Sequence, residues 1–279
     1  MKNLYIIIIC LAISSCSFRA KNGVVTLPLS LSLPERSELA VAGNDFIVAV
    51  DTLDVFAREK LVVKEILSGN VPSFLRHFRE VEFVRQGKKI NIFVLPDYLA
   101  LGSDSDFVRM PMTPMAAQII ADSLDCSMPT SLLVNEIAKA SDGAIEPFPF
   151  RPLGDRNTYP ITFQDSNNAI NSLLKASGFN DGDMISGLKK DVILSKKISD
   201  PKRTHHVTIY GWHYPDGTYI QPSTNIHLNW YVDYSHGIRL VSNTVMIDDK
   251  PYKLSSILCD PEKFSLLSDE DSSMLQARY

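Results

Sequence analysis

The spacing of apolar residues changes character about two-thirds of the way along the chain. In DTLDVFAREKLVVKEILSGN, Leu53, Phe56, Leu61, Val62 and Ile66 recur near helical spacing and Gly69-Asn70 follows as a C-cap, which predicts a helix over 52–68. VEFVRQGKKINIFVLP holds two β-rich runs about Gly87-Lys88 and predicts a hairpin leading to Pro96. Thr113 followed by Pro114 opens a helix in MTPMAAQIIADSLDC, an N-cap with proline at the first helical position. SMPTSLLVNEIAKAS repeats the device with Ser127 or Thr130 as the cap. DSNNAINSLLKASGF reads as another capped helix, with Asp165 in front and Gly178 at its end, and the proline-rich EPFPFRPLG reads as a surface crossing. From Val192 onward the pattern turns to strands: DVILS, HVTIYGW, TYIQP, IHLNWYVDY, GIRLVS and TVMID. Helices followed by consecutive strands predict an α+β fold, with N-terminal helices packed on a mainly antiparallel C-terminal sheet.

The first residues follow a different pattern. MKNLYIIIICLAISSC carries one early cation, Lys2, an apolar run and then small residues, the layout of a secretory signal peptide. That run is shorter than the roughly 20 apolar residues a membrane-spanning helix needs. Ile13-Ser14-Ser15-Cys16 resembles the lipobox of bacterial lipoproteins. The resemblance implies cleavage before Cys16, lipidation of its thiol, and anchoring in the cell envelope, with the outer membrane as first expectation. The expected organisation is a signal peptide over 1–15, a tether over 16–36 and one α+β domain over 37–279. Within the tether, LPLSLSLPE reads as an extended segment or edge strand.

Composition narrows the partners. With 45% hydrophobic and 22% charged residues the chain is an ordinary globular sequence, and a formal charge of −4 gives nucleic acid no basic footprint. Of four cysteines, Cys10 would leave with the signal and Cys16 would carry lipid, so Cys126 and Cys259 remain. Two cysteines make one bridge or two thiols, not a disulfide scaffold.

Five of the six histidines and both tryptophans fall in HHVTIYGWHYPDGTYIQPSTNIHLNWYVDYSHGIRLV. On strands, i and i+2 share a face. His206, Thr208 and Tyr210 would share one face, and Tyr231, Asp233 and Ser235 another, unless Gly211 or Gly237 introduces a bulge. One sheet would then gather several ionisable side chains, which are rarely buried together unless they bond one another or act. Trp212, His227, Tyr231, Asp233, Ser235, His236 and Arg239 are the expected binding residues. Lys189, Lys190 and Asp191, just before a strand, are further pocket candidates.

Asp125-Cys126-Ser127 ahead of a helical run, with HVTIYGWHYPDGTYIQP downstream, resembles the nucleophile and histidine segments of NlpC-type cell-wall cysteine peptidases. That resemblance implies a papain-like fold with Cys126 as nucleophile, His206 as base and Gln221 orienting the imidazole, His213 being the alternative base. A helix N-terminus lowers a thiol pKa and a neighbouring imidazole accepts its proton. YSHGIRLV resembles the active-site stretch of L,D-transpeptidases, but Gly237 runs directly into Ile238-Arg239 where that family carries its cysteine. Arg239 could then anchor a carboxylate. His213, His227 and His236 with Asp233 offer zinc-type donors. No H-E-x-x-H spacing is present, so no metal and no cofactor is assigned. Ser235 with Asp233 and His236 is a second nucleophile set.

Two functions follow as expectations. One is a lipid-anchored envelope hydrolase, a cysteine amidase or peptidase acting on peptidoglycan-derived peptides. The other is a non-catalytic lipoprotein holding a cell-wall glycan or peptide in an aromatic, histidine-rich pocket.

Overall fold

The computed structural model describes residues 17–20, 23–27, 30–152, 154 and 156–279. The signal segment and Cys16 lie outside the described residues. Strands β1 (Ser17–Ala20) and β2 (Gly23–Thr26) pair antiparallel. The end of the expected tether is docked onto the body. Leu31 is buried and its N–H donates to the Arg76 carbonyl at 2.8 Å, while Arg36 Nε donates to Asn70 Oδ1 and the Gly102 carbonyl.

Helix α1 (Gly43–Val50) was not foreseen, because FIVAV reads as a β-rich run; in helical register it buries Phe46, Ile47 and Val50. Helix α2 (Val55–Leu67) begins later than the apolar spacing predicts. Asp54 is its N-cap and accepts from the N–H groups of Phe56 and Ala57, both at 2.9 Å. Its buried stripe also differs from the expected one: Phe56 and Leu61 are exposed, and Arg58, Val62 and Ile66 line the inner face. Gly69 (φ +87°) ends the helix, and a Cβ there would lie 2.1 Å from the Pro34 carbonyl oxygen.

Strands β3 (Arg79–Arg85) and β4 (Lys88–Val94) form the predicted hairpin, turning on Gln86 and Gly87, both with positive φ as a type I′ turn requires. A short hairpin, β5 (Ala100–Gly102) and β6 (Phe107–Arg109), leads to α3 (Pro114–Ser123), capped as expected by Thr113 with Pro114 behind it. Strand β7 (Cys126–Ser127) comes next, and then α4 (Ser131–Lys139), for which Thr130 is the cap. After β8 (Gly143–Ala144), helix α5 (Pro160–Ala176) starts before the expected Asp165, with Pro160 in its first turn. The remaining elements are β9 (Ile185–Ser186), β10 (Lys190–Val192), β11 (Ile209–His213), β12 (Tyr219–Thr224), β13 (His236–Gly237), β14 (Val241–Ser242), β15 (Thr244–Ile247), β16 (Lys250–Lys253) and α6 (Leu254–Leu258).

The fold class is α+β, and its pairing is mostly antiparallel. The strands come from both halves of the chain. A six-stranded sheet runs β16-β15-β4-β14-β7, with β3 on the other edge of β4. A four-stranded sheet runs β12-β11-β10-β13, in which β10 and β13 are parallel. The main apolar core joins residues of both sheets, such as Ile92, Val245, Val192 and Ile209, to Ile66 of α2, Ile120 of α3 and Leu133 of α4. The segment IHLNWYVDY is not a strand. Over 226–235 the chain turns repeatedly and makes one isolated bridge, His206 to Leu228.

Candidate functional site

The four-stranded sheet sets the geometry of the histidine-rich region. Its register shifts between Ile209 and Gly211, and Gly211 (φ +95°) and Trp212 (φ +60°) have left-handed backbone. The shift brings Tyr210 and His213 to one side, where the Tyr210 hydroxyl and His213 Nε2 both meet Asn135 Oδ1 at 2.8 Å. Burial lowers the His213 pKa, so a neutral imidazole donates to that oxygen. His213 thus ties β11 to α4. Trp212 turns inward, and its Nε1 donates to the Gly187 carbonyl at 2.8 Å.

β13 places His236 beside Lys190 and Gly237 beside Asp191. A cluster of buried polar groups gathers there. Lys189 Nζ donates to the Tyr234 carbonyl at 2.5 Å, and burial followed by the charge of Arg109 pushes its pKa down to about 7. The Tyr98 hydroxyl meets Asp191 Oδ2 at 3.0 Å, while Asp191 Oδ1 has no partner. Burial pushes the Asp191 carboxyl up to about 7 despite Arg239 and Tyr98. The Arg239 guanidinium lies 4.6 Å from the Tyr98 ring centroid and donates to the Leu95 and Pro96 carbonyls. A Cβ at Gly237 would meet that ring at 2.4 Å, so only glycine lets Tyr98 lie against β13. Tyr98, Lys189, Asp191, His213 and Arg239 border a cavity of about 20 Å³, room for about one water.

Asp233, Ser235 and His236 are neighbours, but not in the order a nucleophile needs. Ser235 donates from both its N–H and its hydroxyl to Asp233 Oδ1, at 2.8 and 2.6 Å. His236 Nε2 is 3.9 Å from the same oxygen and has no hydrogen bond. The hydroxyl is therefore held by the carboxylate and not by the imidazole that would take its proton. Burial pushes His236 down to about 4, so it is neutral at pH 7. His227 stacks on Tyr231 with ring centroids 4.6 Å apart, and Tyr231 stands edge-on to His236 at 6.0 Å.

Tyr231 and His227 also face outward, onto a groove of about 800 Å³. Three segments distant in sequence build it: 51–58 at the start of α2, 158–160 at the start of α5, and 226–232. Trp230 is 46% exposed and Tyr159 50%, unlike the buried Trp212. Asp51 and Asp54 add carboxylates, and Arg58 closes part of the wall. Sequence reasoning placed Arg58 inside the helix expected over 52–68 but did not single it out. The signal was its position four residues before Val62 and eight before Ile66, on the stripe that faces inward.

Cys126 is not where the resemblance implies. It lies on β7, paired to Ser242, 1% exposed and separated from the α4 cap by three residues, so no helix amides face its sulfur. Its Sγ is 3.3 Å from the Leu124 carbonyl, and burial and then the charge of Asp125 push the thiol well above its ordinary value. His206 lies beside a different loop, its Nδ1 2.9 Å from the Thr204 carbonyl. Gln221, opposite Gly211, donates to the Pro222 carbonyl and to Thr224 Oγ1 rather than to an imidazole. Cys126, His206 and Gln221 therefore make no catalytic constellation, and the papain-like arrangement of cysteine, helix and histidine strand is absent here. His213 bonds Asn135 while His227 and His236 pack with Tyr231, and among the described residues no three His, Cys, Asp or Glu side chains are grouped to hold a metal. Of the expected binding residues, His227 and Tyr231 line the groove, Asp233, Ser235 and His236 lie behind it, and Trp212 and Arg239 serve the interior.

Compared with known proteins, the chain matches no family model, no curated protein and no solved structure.

Proposed function

We propose that this protein is a non-catalytic glycan-binding protein whose ligand lies in the groove between α2, the start of α5 and the 226–232 segment. One observation carries the reading: two exposed aromatic rings, Trp230 and Tyr159, come from separate segments to the same groove, beside the carboxylates of Asp51 and Asp54. Flat rings stack on the C–H faces of sugars, and carboxylates accept from sugar hydroxyls. Such sites are mostly apolar with a few placed polar groups. A cysteine hydrolase is less well supported, because its nucleophile would be a buried thiol of raised pKa with no imidazole bonded to it.

The lipobox-like segment supports a location in the cell envelope, where cell-wall glycan is the nearest polymer of this kind. The mass of the N-terminal fragment from native cells tests this location: an unlipidated Cys16 would remove the anchor. Among the described residues no helix is long and apolar enough to cross a membrane. For the binding reading, soluble cell-wall oligosaccharides should quench Trp230 fluorescence, and Trp230→Ala should weaken their binding about tenfold, the worth of one stacked ring. Binding unchanged in Trp230→Ala would rule out the groove.

A further inference from the structure

We propose that the ligand of this groove is an acidic glycan, seated by a sugar carboxylate on the guanidinium of Arg58. The inference rests on the glycan reading and adds the charge its ligand must carry.

Arg58 is 4% exposed, yet its Nε has no hydrogen-bond partner. The residues around it explain why it stays unpaired. Glu59 turns away, both carboxylate oxygens accepting from the N–H and hydroxyl of Thr113 at 2.5 Å. Asp54 directs Oδ1 to the N–H groups of Phe56 and Ala57. Both act on Arg58 only through space. Phe163, with its ring centroid 5.3 Å from the guanidinium carbon, supports one face. What remains is a largely buried cation that borders the groove and has no hydrogen bond at Nε.

The other two buried arginines show what such a group ordinarily has. Arg109 presents Nε and Nη2 to the Asp97 carboxylate at 2.8 and 2.7 Å. Arg239 spends its donors on backbone carbonyls. In Arg58, Nε on the edge that Asp97 fills in Arg109 has no protein partner. That Nε is itself buried, so a planar carboxylate entering from the groove would meet the terminal Nη groups in a two-bond fork. Asp51 and Asp54 in the same groove favour a ligand with a single negative charge per contact over a dianion, and their oxygens suit the hydroxyls of the same sugar. Arg156, 5.9 Å from the Tyr159 ring centroid, brings a second cation to that side.

Calorimetric titration of the full-length protein tests the proposal with two matched pairs of probes. One pair is N-acetylglucosaminyl-N-acetylmuramic acid and N,N′-diacetylchitobiose; the other is trigalacturonate and its methyl ester. The carboxylated member of at least one pair should bind tenfold or more tightly than its neutral partner, and the pair that discriminates names the source of the carboxylate. Arg58→Gln should bring the acidic sugar down to the level of the neutral one and leave the neutral one unchanged. Arg58→Lys, a second variant in case the first does not fold, should retain only part of the preference. Equal binding of acidic and neutral sugars, or a preference that survives Arg58→Gln, overturns this inference and leaves the glycan reading intact. No binding by any of the four overturns both.

Discussion

Arg58 and Arg109 are both buried arginines near the same helix, α5, yet they live under opposite conditions. Arg109 sits in a closed knot: Asp97 takes its Nε and Nη2, and Asn167 and Asn171 take its Nη1, at 2.7–3.1 Å. Asn167 adds a bond from the Arg109 N–H and donates to the Phe107 carbonyl, so side chain and strand are locked together. Arg58 is nearly as enclosed but has only a ring face and an Nε with no hydrogen bond. The first arrangement is what structure requires of a buried ion, since each charge and lone pair has a partner. The second leaves a desolvation cost uncompensated by the fold, which is the state in which a ligand has most to add.

The sharpest way to break this contrast is to remove each cation in turn. Arg109→Met strands the Asp97 carboxylate in the interior and should cost about 3–5 kcal/mol in urea unfolding, the usual loss when one partner of a buried pair is removed. A cost below about 1 kcal/mol would mean that the knot is not structural.

Asp191 is an intermediate case, half satisfied by Tyr98 and with one oxygen unbonded. Its folded pKa of about 7 lies above its ordinary 3.8, so from pH 4 to 7 the folded chain keeps a proton that the unfolded chain has lost. That difference lowers stability as pH rises through this window. Asp191→Asn removes the effect. The stability difference, variant minus parent, should therefore grow from pH 4 to 7, by up to about 4 kcal/mol. His236 and Lys189 titrate in both proteins and cancel. A flat difference measured by denaturation at several pH values would show that Asp191 ionises normally.

Arg58→Met should produce the smallest change. With no ion pair to lose and an apolar stem retained over Phe163, stability should stay level or rise by about 0–2 kcal/mol. A loss as large as that of Arg109→Met would erase the distinction between the two sites.

How much of this was legible depends on how local each signal is. The hairpin, read about Gly87-Lys88 and found to turn one residue earlier, the Thr113 cap, the second cap narrowed to Ser127 or Thr130, and the α+β class could be read because each rests on a few adjacent residues. Helix α1 was hidden by β-branched residues whose preference tertiary packing overrides. The 226–235 loop was hidden by alternation: Ile226, Leu228 and Trp230 resemble one face of a strand, but all three are exposed on the groove. Cys126 looked like a helix cap because the chain between it and Thr130 could not be judged for direction. The histidines drew attention to the correct segment but gave the wrong chemistry, since His213 holds β11 to α4 and His236 is buried neutral. The groove could not be seen at all, because its three walls meet only in space.

The pairing of β4 governs the order in which this molecule can assemble. Its first edge finds β3 across a two-residue turn, but its second edge waits for β15 at Ile90 and Asn91 and for β14 at Val94. Those partners lie roughly 150 residues further along the chain, a separation that makes closure slow. Until they arrive, Ile90, Ile92 and Val94 belong to an open strand edge, which is prone to pair with other chains. Synthesis therefore cannot deliver this sheet in stages. A chain stopped before Val241 would hold the hairpin but not the sheet, and whatever carries the unfinished protein must keep that edge covered until the last strands are made.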